Sequence, residues 1–203
     1  MRSVPKHPLM MFPKHTIMTN ELTVNQKAGG TEAWLLGPLS DTSFMLTPAA
    51  HALMQAAIDI ERAASALTVE EVWRKPAGAP SVGFHLRHVA GSIDRLLTYA
   101  RGGQLSAEQF RALATESEPG DAAEEAVALI RMAKAHIEDA LQVLRTTTDT
   151  MLAEPREVGR SGLPSTVFGL LFHIAEHTQR HTGQIVTTAR IVRGISSGEE
   201  NQS

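Results

Sequence analysis

Residues 172–184 read FHIAEHTQRHTGQ, and histidines recur there at every fourth position, as His173, His177 and His181. A four-residue step turns a helix by about 40° and advances it by about 6 Å, so neighbouring members of this series share one helical face. The apolar residues keep the same rhythm. Val167, Leu171, Ile174, Ile185 and Val192, with Thr178 and His181 among them, form one core-side stripe between about Pro164 and Val192. The stretch reads as the last long helix of an all-α protein, with imidazoles along it.

Earlier parts of the chain carry the same period. Val127, Ile130, Lys134, Ile137, Leu141 and Leu144 mark a third long helix ending near Thr146. Asp121 is its expected cap, with Glu124 three residues on, and Lys134 snorkels out of an otherwise apolar line. The second long helix spans Ser81 to Arg101, with Val82, Leu86, Val89, Ile93, Leu96 and Ala100 facing the core. Beside that stripe runs a polar row of His85, His88, Ser92, Arg95 and Tyr99, which either lines a cavity or forms a solvated shoulder. The first helix opens at Thr47-Pro48 and buries Leu53, Ala57, Ile60, Ala64 and Leu67.

The connections are legible too. Thr68-Val-Glu-Glu71 resembles a capping box that starts a short turn reaching Trp73, and Lys75–Pro80 is a loop. Gly102-Gly103 ends the second helix, and Ser106–Ala114 is a short helix. Met151–Gly162 is a polar connection, and no strand pattern of convincing length appears. Glu32–Leu39 is expected to be an extended lead-in that packs Trp34 and Leu35 on the bundle. Residues 1–30, with prolines at 5, 8 and 13, and residues 196–203 read as unstructured tails around a single domain at 31–195. Four long helices without an internal repeat give a four-helix bundle.

Composition narrows the function. With 203 residues, 42% of them hydrophobic, the chain can build a sizeable core. A net charge of −3 does not favour nucleic-acid binding, and no apolar run reaches the roughly 18 residues of a membrane span. No secretory leader is recognisable, so a cytoplasmic protein is expected. The chain has no cysteine, which leaves histidines and carboxylates as the strong metal ligands.

His173 and His181 stand about 12 Å apart along the helix axis, too far to share one ion comfortably, so His177 and His181 make the better pair. An open divalent site needs about three protein ligands, and the third must come from another helix. His88 and His85 on the second helix both qualify. The competing reading is ordinary polar surface, which holds for the solitary His51 and His136 and, among the charged flanks, for Asp94 and Arg180. Glu176 is a candidate proton-transfer group beside the pair. His173-Ile-Ala-Glu-His177 also spells the inverted metalloprotease pattern, but too little chain follows His177 to supply that architecture's remaining ligand.

Taken together, GFHLRHVAGSIDRLLTY in the second helix and HIAEHTQRHTGQI in the fourth resemble the DinB/YfiT-like superfamily of bacterial metal-binding bundles, over roughly Pro48 to Val192. The resemblance implies a four-helix bundle with a long crossover connection, usually a homodimer. It implies a divalent ion held by one histidine of the second helix and an H-x-x-x-H pair of the fourth. His177 and His181 match the pair, because Gly183-Gln184 follows closely. His88 matches the remaining ligand, in the phrase His88-Val-Ala-Gly-Ser92. His85 and His173 are additional to that pattern and are alternative ligands or supporting groups.

What the resemblance implies for activity is a metal-dependent enzyme using Zn²⁺ or Ni²⁺; Glu176, from its position beside the pair, is the candidate catalytic residue. Either water or a low-molecular-weight thiol cosubstrate is activated, giving a hydrolase or a thiol S-transferase acting on a small molecule. The alternative is a non-catalytic metal-binding or stress-response bundle.

Overall fold

A computed structural model describes residues 31–120 and 124–200. In chain order the elements are α1 (Thr47–Ala64), the short α2 (Val69–Trp73), α3 (Val82–Ala100), α4 (Ala107–Ala114) and α5 (Ala126–Thr146). A hairpin of β1 (Pro155–Val158) and β2 (Leu163–Thr166) then leads into α6 (Val167–Glu200). The long helices α1, α3, α5 and α6 form a bundle in which α1 and α3 each pack on both α5 and α6. The chain therefore crosses the bundle twice, from α1 to α3 through α2 and from α5 to α6 through the hairpin. This order makes α3 and α6 neighbours.

The core follows the apolar stripes. Leu53 and Ile60 of α1, Leu86 and Ile93 of α3, Leu129, Ile137 and Leu144 of α5, and Leu171, Ile174 and Ile185 of α6 are fully buried. Each such side chain contributes about 1.5–3 kcal/mol of hydrophobic stabilisation. The helix starts are chemically defined. Thr68 Oγ1 accepts from the Glu71 amide at 3.2 Å while the Glu71 carboxylate accepts from the Thr68 amide at 2.9 Å, completing a capping box. Buried Ser81 accepts from the Phe84 amide at 3.1 Å and sets the first turn of α3.

Four expectations are corrected. First, α5 begins only at Ala126. Its inward face there is built from Ala126, Leu129, Ile130 and Ala133, which leaves Val127 exposed; Asp121 lies outside the described residues. Second, the connection after α5 contains the antiparallel hairpin, whose Arg156 donates from Nε to the Ala100 carbonyl at 2.7 Å and so satisfies an end of α3. Third, α6 runs to Glu200, into the stretch read as a tail. α2 packs against it, and the Glu71 carboxylate lies beside Ser196 and Arg193. Fourth, Ala33–Leu36 is a single 3₁₀ turn that buries Ala33 and leaves Trp34 and Leu35 exposed. Residues 1–30 lie outside the described part of the chain. Among the described residues no helix is long and apolar enough to cross a membrane.

Candidate metal centre

The polar row of α3 faces inward. His85 is 2% exposed, and Ser92, Arg95 and Tyr99 are also buried, so the row is not a shoulder in solvent; His85 and His88 meet α6, while Arg95 pairs with Glu116. His177 and His181 project from α6 onto it. His88 Nε2 lies 3.0 Å from His177 Nε2, and the ring centroids of His88 and His177 stand 4.5 and 4.6 Å from that of His181. One ring nitrogen from each of His88, His177 and His181 falls within 4.8 Å of the other two. Two nitrogens bound at about 2.1 Å to one ion stand about 3.0 Å apart at a right angle and about 3.4 Å apart at the tetrahedral angle. The His88–His177 spacing is already that of two ligands on one ion.

The additional histidines take other places. His85 Nδ1 lies 3.0 Å from His181 Nδ1, so it supports that ring from within the interface. His173 is half-exposed, its Nδ1 3.2 Å from Glu176 Oε2, and with Glu176 and His177 it makes a second, more exposed group of ligand-type atoms. Phe84 stacks on His88 at 5.4 Å and meets His85 and His181 edge-on, walling one side of the cluster.

Burial dominates the electrostatics. Removal from water, followed by the nearby His88 ring, pulls His177 down to about 4 and His181 to about 3; the same two causes bring His85 to about 4. These imidazoles are uncharged at neutral pH, the state in which a ring nitrogen offers its lone pair to a metal. His177 Nδ1 is buried without a hydrogen-bond partner among the described residues. Ring nitrogens converging from α3 and α6, those of His177 and His181 uncharged, fit a divalent metal ion.

The charged flanks sort by contact. Both oxygens of Glu176 are engaged, Oε1 by Arg180 and Oε2 by His173, and the Arg180 hydrogen bond leads in holding its carboxyl below the usual range. Asp94 accepts from Gln109 at 2.7 Å and is tied to α4 rather than to the cluster. His136 Nδ1 lies 3.0 Å from the Met132 carbonyl, and His51 is buried on α1, so both stand apart from the trio.

One residue had no signal in the sequence. Glu116, in the connection after α4, is 5% exposed and places Oε2 2.7 Å from His88 Nδ1 and Oε1 2.8 Å from Arg95 Nη1. It lies in a loop without periodicity, one of several acidic residues there, and only the folding of that loop over α3 brings it to the cluster.

The chain matches the family described as the DinB superfamily over residues 52–185, a span that includes His88, Glu116, His177 and His181. No curated protein matches it.

Proposed function

The chain belongs to the DinB superfamily, and from that premise we propose that it is a divalent-metal-dependent enzyme in which His88, His177 and His181 hold Zn²⁺ or Ni²⁺. The observation that carries this reading is the convergence of three ring nitrogens from α3 and α6 within 4.8 Å. A divalent ion with an open position lowers the pKa of a water or thiol that binds to it, which supports hydrolysis or thiol transfer.

The chain's own residues supply the rest. Phe84 and the buried α3–α6 contact keep bulk water from the inner side of the rings, while burial keeps the His177 and His181 imidazoles neutral. Glu176, held ionised by Arg180, is a proton acceptor on the exposed side. Because the chain has no cysteine, a thiol arrives as a low-molecular-weight cosubstrate and the electrophile is a second small molecule. The homodimer belongs to the same proposal. Trp34, Phe44 and Met45 expose large apolar surface that a second copy can cover.

The test is elemental analysis of protein purified without a histidine tag, followed by assay of thiol addition to model electrophiles and of ester or amide hydrolysis. One divalent ion per chain, lost in His177→Ala/His181→Ala together with turnover, supports the proposal. A stoichiometric ion that persists in that double variant sinks the assigned site. Metal binding without turnover across a broad panel of thiols and electrophiles favours a non-catalytic bundle.

A further inference from the structure

We infer that Glu116 is a positioning residue for the metal centre: it fixes His88 as the Nδ1–H tautomer, so that Nε2 carries the lone pair directed at the ion. The inference rests on reading His88, His177 and His181 as ligands. A carboxylate only accepts hydrogen bonds, and Glu116 Oε2 lies 2.7 Å from His88 Nδ1, so the ring proton belongs on Nδ1. His88 Nε2 is thereby free, and it is this atom that lies 3.0 Å from His177 Nε2. Carboxylate, histidine and metal are thus set in the order that fixes ring orientation and raises ligand basicity.

Three features hold Glu116 in place. Its second oxygen accepts from Arg95 at 2.8 Å, and both side chains are buried. Gly91 leaves the space on α3, since a Cβ there would fall 2.5 Å from Glu116 Oε1 and 2.7 Å from Arg95 Nη1. The loop itself is clamped by Arg87, one residue before His88. Its guanidinium donates to the carbonyls of Thr115, Glu118 and Pro119 and to the Glu124 carboxylate, and it lies 4.7 Å over the Trp73 ring. Neighbouring residues of α3 therefore hold the loop and receive its carboxylate.

Glu116→Gln is the discriminating variant, because it keeps the shape of the buried group. Arg95 is a donor only and takes the amide oxygen, which turns the amide NH₂ toward His88 Nδ1 and drives the ring proton to Nε2. The full-length protein is titrated with Co²⁺. Affinity is expected to fall about 10–100-fold in Glu116→Gln, the usual loss when an outer partner of a ligating histidine is removed. Arg95→Met/Glu116→Gln, in which the amide can turn its oxygen to the ring, is expected to regain most of that loss. In the metal-free proteins, ¹⁵N shifts of His88 should report Nδ1–H in the wild type and Nε2–H in Glu116→Gln. A Glu116→Gln protein that binds Co²⁺ within twofold of wild type and keeps the Nδ1–H tautomer overturns the inference while the metal reading stands. If His177→Ala takes up Co²⁺ as tightly as wild type, the metal reading falls and the role of Glu116 in metal binding falls with it, whatever the tautomer.

Discussion

His177 and His181 sit four residues apart on α6 with neutral rings, and each is expected to be indispensable. His177→Ala or His181→Ala should weaken divalent-ion binding by more than the roughly 10–100-fold that loss of an outer partner costs, as read by competitive chelator titration. Glu176→Gln is expected to leave metal uptake unchanged and to lower turnover, which separates proton transfer from binding. The lowered pKa values also set an acid dependence. His85, His177 and His181 titrate near 4, 4 and 3 in the folded chain, against about 6.5 for an unperturbed histidine. Between those limits the unfolded chain binds more protons than the folded one, so stability is complete above about pH 6.5 and declines as pH falls toward 3–4. Melting temperatures of chelator-treated protein between pH 4 and 7.5 should fall on acidification. A flat profile would mean that the rings are not buried neutral.

At the scale of elements, the site depends on how α3 and α6 begin and pack. Ser81 caps α3 in the turn before His85 and His88, and Ser81→Ala is expected to cost about 1–2 kcal/mol, given that the cap is fully buried. Leu86 lies on the same helix with no exposure, and Leu86→Ala should cost about 2–5 kcal/mol through the cavity it leaves. Both are measured by urea denaturation of the metal-free protein. The periodicities of α1, α3 and α6 were readable because each helix alternates a wide apolar face with polar positions. The hairpin was not. Its strands are four residues each, Pro155 and Pro164 interrupt any alternation, and their burial comes from lying over α3 and α6 rather than from their own composition. The start of α5 was misplaced for a related reason: Val127 fits the helical period, but Ala126 and Leu129 take the inward face.

For the molecule as a whole, ligand linkage and assembly are the measurable consequences. A divalent ion at about one hundred times its dissociation constant adds about 2.7 kcal/mol to a folded state that alone binds it. In a chain of this size that raises the melting temperature by roughly 5–10 °C. Zn²⁺ and Ni²⁺ should each produce such a rise, reversed by chelator and absent from His177→Ala/His181→Ala. Light scattering should return twice the chain mass if the dimer forms. The sequence by itself determined the helical class, the main stripes, the capping box at Thr68 and the pairing of His177 with His181, because helical period and capping chemistry are local. Axial spacing along one helix was enough to divide the row at 173, 177 and 181. Spacing left His85 and His88 equivalent and only the family resemblance favoured His88; the packing of α3 on α6 groups His88 with both members of the pair and sets His85 against His181 alone. Only the tertiary structure decided the place of Glu116, whose contact with His88 is made by a loop closing over a helix, a relation no local pattern encodes.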